Sequence, residues 1–408
     1  MKHLIIGVSA AGIAAAKTIR ALRPDDEIVM AAKDKEVHSR CMLHHFIGGA
    51  KSAEEINFAG ADFFEKNNIK FLADEEITAV TPQKNCALGA RSGEITYDTL
   101  LITTGARYFI PPIQGFREAK NVFGLRDLSD ARRIDDAAKG AAECVIVGSG
   151  LVGLDAAYAL CERGVKCRIV EMEDRISPLQ LDKTAAAPYQ KFFEEAGCEF
   201  YLSKRACGME MDDAGNATHV LLESGERLPC AFVVVTAGVR PNVEFLDGSG
   251  ITVDRCVKVD DYMRTNVENI WAAGDVAGLS GIWPNAALQG ETAAKNICCG
   301  CVKYTDRYAM KNTMNFFGLT TLSLGPNSAE PGDEVIINEC RTSYMKAIVR
   351  DGRVIHLTIQ GDISNTGFWQ ELVKRGVKVR KEARALSRLS YADFWNCDEK
   401  SGEYLWAK

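Results

Sequence analysis

The chain has 408 residues, of which 47% are hydrophobic and 25% are charged, and its formal net charge is −6 at pH 7. Single hydrophobic cores stop growing at roughly 250–300 residues, so we expect two or three domains. The negative charge argues against nucleic acid or an anionic membrane as the main partner. No apolar run reaches the ~18 residues needed to span a bilayer. In a long chain without a secretory signal, the 14 cysteines indicate reduced thiols and a cytoplasmic location.

The N-terminal residues predict a βαβ unit with a glycine-rich turn. In chain order, its strand, turn, helix and second strand occupy residues 3–6, 7–12, 13–22 and 27–31. Gly7 permits the tight turn and Gly12 lets helix and strand pack closely, while the small residues between them let backbone N–H groups reach a pyrophosphate. The residues predicted to contact this first dinucleotide are Gly7, Ser9, Ala10, Ala11 and Gly12.

A second unit of the same kind follows, and its turn is a complete G-x-G-x-x-G. Its strand, turn, helix and next strand occupy residues 143–147, 148–153, 154–163 and 166–171. A carboxylate at Glu171 can accept hydrogen bonds from a ribose diol and would repel a 2′-phosphate, so it favours NADH over NADPH. The residues predicted to contact NAD are Gly148, Gly150, Leu151, Val152, Gly153 and Glu171. Two such folds in one chain indicate two cofactors that exchange electrons.

Four more segments carry a resemblance to a known superfamily. They are 103–106 (Thr-Thr-Gly-Ala), 237–242 (Ala-Gly-Val-Arg-Pro-Asn), 269–276 (Asn-Ile-Trp-Ala-Ala-Gly-Asp-Val) and the helical stretch 283–294. Together with the glycine turns, they resemble the pyridine nucleotide-disulfide oxidoreductases over nearly the whole chain. The resemblance implies FAD and NADH as cofactors, with Asp275 on the ribityl chain of FAD. The further contacts it implies are Thr104, Gly105, Gly274, Asp275 and Ala287 for FAD and Gly238 for NAD.

The resemblance also implies an α/β fold of the glutathione reductase type, in which two Rossmann-like domains are nested. FAD would be bound by residues 1–108 and 240–304, and NADH by the inserted residues 109–239. Residues 305–408 would form a C-terminal α+β interface domain, commonly used for forming a homodimer. Its predicted strands and helix occupy 334–337, 343–350, 354–359 and 368–375, with a hairpin turn at Asp351-Gly352.

One position departs from the pattern of the superfamily. There, the strand after the first glycine turn usually ends in an acid that holds the adenosine ribose of FAD. Here the strand ends in Ala31-Ala32-Lys33, and the nearest acid is Asp34. Either Asp34 reaches back to the ribose, or backbone groups and water hold it.

The segment from Ser39 to Gly48 separates two branches of the superfamily. Coenzyme A-disulfide reductases and NADH oxidases or peroxidases have a single redox-active cysteine where Cys41 stands. NADH:rubredoxin reductases, ferredoxin reductases and the flavin domain of nitrite reductases typically have Arg-Pro and no cysteine, and they pass single electrons to a protein partner. Here Ser39-Arg40 resembles the second branch, with Arg40 as an FAD contact, whereas Cys41 resembles the first.

The favoured function is an FAD-dependent NADH oxidoreductase that exchanges electrons, in either direction, with a ferredoxin- or rubredoxin-like protein. One alternative is reduction of a small disulfide, persulfide, peroxide or oxygen through Cys41. Another, from a different class, is a non-catalytic nucleotide sensor that retained the folds for binding. The intact second turn and Asp275 argue against the sensor.

Two further hypotheses concern histidine and cysteine residues. His45 falls where the electron-transfer branch often has a lysine beside flavin N5, and Asp155 falls where that branch has its glutamate partner. We therefore expect a titratable His45–Asp155 pair over the flavin. Cys298-x-x-Cys301 is the one C-x-x-C in the sequence, and because no second pair stands at ligand spacing, we expect no metal site.

Overall fold

The structure is a computed structural model that describes residues 1–306, 311–340, 343–379, 389–397, 401–402 and 404–406. The other residues, all in the predicted C-terminal domain, lie outside the described part. Among the described residues, no helix is both long enough and apolar enough to cross a membrane.

The first 108 residues contribute four strands to a parallel sheet. Their strands are β1 (Lys2–Ile6), β2 (Glu27–Ala32), β3 (Ile69–Ala73), β4 (Ile77–Thr81), β5 (Cys86–Gly89), β6 (Gly93–Thr96), β7 (Thr99–Ile102) and β8 (Ala106–Tyr108), and their helices are α1 (Ala10–Leu22), α2 (Leu43–Ile47) and α3 (Phe63–Lys66). β7, β1, β2 and β3 lie side by side in parallel, and β4, β5 and β6 form a small antiparallel sheet. Because side chains alternate along a strand, Ile5 packs with α1 whereas Leu4 and Ile6 pack with the small sheet.

The next segment repeats this architecture. Its strands are β9 (Val122–Gly124), β10 (Glu143–Val147), β11 (Lys166–Val170), β12 (Glu199–Tyr201), β13 (Ala206–Met211), β14 (Ala217–Leu222), β15 (Arg227–Pro229) and β16 (Val233–Val235), and its helices are α4 (Leu128–Ala138), α5 (Leu151–Glu162) and α6 (Lys183–Glu195). A five-stranded parallel sheet has the order β12-β11-β10-β16-β9, and β13, β14 and β15 form an antiparallel sheet beside it. Ile146 enters the core with α5, whereas Val145 enters the core of the antiparallel sheet.

The chain then returns to the first sheet. Its elements are β17 (Val239–Pro241), β18 (Val253–Asp254), β19 (Cys256–Val257), β20 (Ile270–Ala272) and α7 (Trp283–Cys298). β20 pairs in parallel with β7 and completes the sheet, while β17 pairs with β8. The second sheet is therefore inserted between strands of the first. α7 packs closely on α1, since a Cβ on Gly290 would overlap the carbonyl of Ala11.

The last segment forms an antiparallel sheet. Its elements are β21 (Lys311–Phe316), β22 (Leu319–Leu324), β23 (Glu334–Cys340), β24 (Ser343–Arg350), β25 (Arg353–Gln360), α8 (Thr366–Arg375), β26 (Trp395–Cys397) and β27 (Tyr404–Trp406). The predicted hairpin is confirmed, because β24 and β25 pair across Asp351 and Gly352, whose φ angles of +50° and +75° suit a two-residue turn. Tyr189 of α6 donates a 2.9 Å hydrogen bond to the Thr321 hydroxyl, so this sheet packs on the second nucleotide fold.

Candidate active site

A cavity of about 250 Å³ opens at the carboxyl ends of β1, β2 and β7. Parallel α/β sheets bind their ligands at this edge. The predicted FAD residues that line it are Gly7, Ser9, Asp34, Arg40 and Thr104.

The first glycine turn forms one wall of this cavity. Gly7 has a φ of +112°, and a Cβ there would overlap the carbonyl of Thr103. A Cβ on Gly12 would overlap the carbonyl of Gly7, so α1 begins tightly against the strand. This approach leaves the free N–H groups at the start of α1 beside the cavity, where they suit an anion.

Asp34 is the first carboxylate beyond β2, and it lines the cavity. Its Oδ2 lies 3.9 Å from Nη2 of Arg40. Glu75 lines the cavity too, but its carboxylate accepts hydrogen bonds from the backbone N–H groups of Arg91 and Ser92 at 2.8 and 2.9 Å. Glu75 therefore holds the β5–β6 hairpin, whereas Asp34 stays available for a ribose.

A second cavity, of about 90 Å³, adjoins the first, since Ser9, Arg40 and Thr103 line both. The predicted site residues that line the second cavity are Ser9, Ala10, Ala11, Arg40, Cys41, Gly105, Gly274 and Asp275. From α7, Trp283 and Ala286 line the cavity, whereas the predicted Ala287 does not, although both alanines pack in the apolar core around α1. Successive helix residues point about 100° apart, so the two alanines face different ways.

Arg126, which no sequence motif had indicated, lies between β9 and α4 and lines the second cavity. Its guanidinium forms an ion pair with Asp275, and its Nε donates to the carbonyl of Ala106 at 3.0 Å. Arg40 secures the same loop by donating from Nη1 to the carbonyl of Arg126 at 2.6 Å. No motif surrounds this arginine, so only the fold brings it to Asp275.

The second glycine turn repeats the geometry of the first. Gly148 has a φ of +104°, and a Cβ on Gly153 would overlap the carbonyl of Gly148. Gly150 differs, because it caps the 12-residue helix α5 and a Cβ there would meet nothing within 4 Å. Open space beside a helix N-terminus suits a pyrophosphate. The remaining predicted NAD residues lie near this turn. Leu151 and Val152 begin α5. Gly238 lies two residues after Thr236, whose hydroxyl donates a hydrogen bond to the carbonyl of Gly148 in the turn.

Glu171 directly follows β11, contacts Ser149 of this turn and is 9% exposed. Its Oε2 accepts hydrogen bonds from the N–H and the hydroxyl of Ser149, at 2.9 and 2.7 Å. Its Oε1 accepts one from the N–H of Glu173 at 3.0 Å. A carboxylate offers about four acceptor positions, so one remains for a ligand hydroxyl.

The histidine beside Asp155 is His44, not the predicted His45. Nδ1 of His44 lies 3.8 Å from Oδ2 of Asp155, and the rings of His44 and His45 are 4.0 Å apart. Burial, with the adjacent His45, lowers the pKa of His44 to about 4. Burial raises the pKa of Asp155 to about 7, so near neutral pH the carboxyl, and not the imidazole, can exchange a proton.

Cys41 lies in the second cavity with its side chain exposed. Desolvation by the surrounding residues and the nearby Asp155 raise the pKa of its thiol, and this outweighs Arg126 and Arg40, which act in the opposite direction. The thiol form is therefore favoured at neutral pH in this environment.

These residues fit an FAD and a nicotinamide dinucleotide. Both glycine turns combine backbone that excludes a Cβ with an open helix N-terminus, as a pyrophosphate requires. Carboxylates at Asp34 and Glu171 suit riboses, and the Arg126–Asp275 pair suits a polar hydroxyl-rich chain. The fold and the site define a two-dinucleotide oxidoreductase.

Comparison with known proteins identifies the family. The sequence profile described as pyridine nucleotide-disulphide oxidoreductase matches residues 1–290, and the chain belongs to this family. It is an FAD-dependent NAD(P)H oxidoreductase that uses FAD and NADH.

Three relatives illustrate the range of activities. The chain is 30% identical to the NADH-dependent phenylglyoxylate dehydrogenase subunit epsilon of Aromatoleum evansii, over 92% of this chain and 91% of that one. It is 33% identical to an NADH oxidase of Methanocaldococcus jannaschii, over 73% and 70%. The solved structure of an NAD-dependent persulfide reductase from A. fulgidus matches with a TM-score of 0.84 and 26% identity, over 96% of this chain and 79% of that one.

Proposed function

We propose that the protein exchanges electrons between NADH and a small iron–sulfur protein or rubredoxin. A bound FAD would supply the redox chemistry, since a flavin can take up a hydride from a nicotinamide and give up electrons singly or as a pair. Glu171 fixes the ribose of NADH, while Asp34 and Asp275 hold the FAD. Residues 1–108 and 240–304 would bind FAD, and residues 109–239 would bind NADH.

The chain's own groups bind, orient and handle protons. The free N–H groups at the starts of α1 and α5 hold the two pyrophosphates. Arg126 neutralises Asp275 and ties the loop after β9 to the second cavity. Asp155, whose pKa burial raises to about 7, is the group that can take up or release a proton near Cys41.

The choice between electron acceptors depends on the protonation state of the Cys41 thiol. A cysteine that forms a disulfide with its substrate must attack as a thiolate. Desolvation and Asp155 instead raise the pKa of the Cys41 thiol. This environment favours electron transfer that bypasses the thiol.

A relative supports the same proposal. The NADH-dependent phenylglyoxylate dehydrogenase subunit epsilon is named as one subunit of a larger enzyme, and it matches this chain over 91% of its own length. A chain of this family and length can thus work beside partner subunits. We also propose a homodimer in the cytoplasm, which light scattering and cell fractionation would test.

The second candidate is a Cys41-dependent enzyme that reduces a small disulfide, a persulfide, a peroxide or oxygen. One observation favours it: Cys41 lines the same cavity as Asp275 and Gly105, beside the predicted flavin site. Some relatives carry names of this kind, among them an NADH oxidase and a persulfide reductase.

Replacement of Cys41 by serine tests the choice. We expect Cys41→Ser to reduce rubredoxin or ferredoxin with NADH as fast as the unaltered protein. The matched control is Cys207→Ser, which removes another exposed thiol, on β13. The proposal fails if the unaltered protein prefers coenzyme A disulfide, a persulfide or peroxide and Cys41→Ser alone abolishes that turnover.

A further inference from the structure

Three cysteines that are distant in sequence meet inside the second nucleotide fold. Cys161 lies in the last turn of α5, Cys167 lies on β11, and Cys198 lies between α6 and β12. Their three Sγ atoms are all within 4.8 Å of one another. A fourth cysteine, Cys144 on β10, extends the group through a 3.6 Å contact with Cys167.

Cys161 and Cys198 are in direct contact within this group. Their Sγ atoms are 3.3 Å apart and form a hydrogen bond. A disulfide requires about 2.05 Å between sulfurs, so a shift of little more than 1 Å would join them.

Polar surroundings distinguish the roles of the sulfurs. Sγ of Cys167 lies 3.5 Å from the carbonyl oxygen of Val165, an acceptor that favours a protonated thiol. Hydrogen bonds from Cys167 and Cys198 lower the pKa of Cys161, and the pKa of Cys198 is raised by the bond to Cys161. These bonds favour Cys161 as the first of these sulfurs to lose its proton.

Burial gives the same order of reactivity. Cys161 is partly exposed at the end of α5, whereas Cys198 is only 4% exposed and Cys167 is fully buried. A small oxidant arriving from solvent reaches Cys161 first. The resolving thiol is already in contact behind it.

We propose that Cys161 and Cys198 form a peroxide-sensitive dithiol. The Cys161 thiolate attacks one oxygen of hydrogen peroxide, the O–O bond breaks, and hydroxide leaves, so that Cys161 becomes a sulfenic acid. Cys198, on losing its proton, then attacks that sulfur; the S–O bond breaks, water leaves, and a Cys161–Cys198 disulfide remains. In total, two thiols are oxidised by two electrons and one peroxide is reduced to two waters.

The disulfide would join two elements of the NADH-binding fold. It ties the last turn of α5 to the segment entering β12, and the other end of α5 carries Gly150 and the second glycine turn. This site is separate from Cys41 and does not depend on which acceptor the enzyme uses.

Peptide mapping after mild oxidation tests the proposal. The folded protein is treated with equimolar hydrogen peroxide, remaining thiols are alkylated, and trypsin releases residues 140–163 and 192–204 as separate peptides. We expect these two peptides to be disulfide-linked. Because the first contains both Cys144 and Cys161, fragment ions assign the link. Cys161→Ser should abolish it, and the control Cys207→Ser should not.

A second variant checks the order of events. In a Cys167→Ser, Cys198→Ser double variant, which lacks both thiols within 4.8 Å of Cys161, a cyclic dione that traps sulfenic acids should label Cys161. The proposal is overturned if peroxide oxidises Cys41 or Cys207 while Cys161 stays available for alkylation, or if the link forms through Cys144. It is also overturned if one equivalent of zinc, without peroxide, protects Cys161 and Cys198 from alkylation, because the cluster would then be a metal site.

Discussion

Replacing Glu171 by glutamine removes the charge at the predicted NADH ribose and nearly preserves the size and shape of the side chain. The carboxylate already accepts three hydrogen bonds, from Ser149 and Glu173, and has about one acceptor position left. A hydrogen bond to a charged group contributes about 1.5–3 kcal/mol. Its loss lowers kcat/KM for NADH by about 10- to 150-fold. NADPH should gain, since its 2′-phosphate no longer meets a negative charge.

Steady-state kinetics with both coenzymes measure this change. Glu173→Gln is the matched control, because that exposed side chain lies two residues away and only its backbone N–H contacts Glu171. The glutamine amide at 171 would also face the N–H of Glu173, at a cost of about 1–3 kcal/mol in stability. Thermal unfolding measures that cost separately. An unchanged NADH:NADPH ratio in folded Glu171→Gln would refute the assignment of the ribose site.

Three other changes test individual features. Gly150→Ala should keep the melting temperature of the unaltered protein but raise KM for NADH about tenfold or more. Gly153→Ala should lose about 1–3 kcal/mol of stability, because the added Cβ overlaps the carbonyl of Gly148. Equal melting temperatures for the two variants would contradict this reasoning. Burial and Asp127 raise the pKa of Asp130 from 3.8 to about 7, so between these values the folded state holds a proton that the unfolded state has lost. The free energy of unfolding should therefore fall as the pH rises from about 4 to about 7. Asp130→Asn should abolish this fall, as measured by thermal unfolding. Asp155→Asn should remove an inflection near pH 7 from the rate of flavin reduction by NADH in stopped flow, and an unaltered inflection would exclude this carboxyl.

The local parts of the fold could be predicted from the sequence. The glycine turns, their strands and helices, and the Asp351-Gly352 hairpin each depend on residues within about one βαβ unit, where spacing fixes the backbone. The predicted strand 143–147 has the same limits as β10, and the predicted strand 343–350 has the same limits as β24. Asp34 was also identified, because it is the first acid after β2.

Other site residues could not be assigned from position in the chain. His44, and not its neighbour, approaches Asp155, and Ala286, and not its neighbour, lines the cavity. One residue changes the direction of a helical side chain by about 100°, which alignment of a short segment does not determine. The spacing of cysteines in the sequence likewise showed only one pair that resembles metal ligands, Cys298-x-x-Cys301.

The sequence by itself determined that this chain binds two dinucleotides, and it placed Glu171 at the end of the strand beside the second glycine turn, because those features depend on short-range backbone geometry. The tertiary structure alone decided that Arg126 pairs with Asp275, across 149 residues of chain, and that Cys161 meets Cys198. Such contacts arise where separate strands and helices of the parallel sheets converge, and no local pattern in the sequence records that convergence.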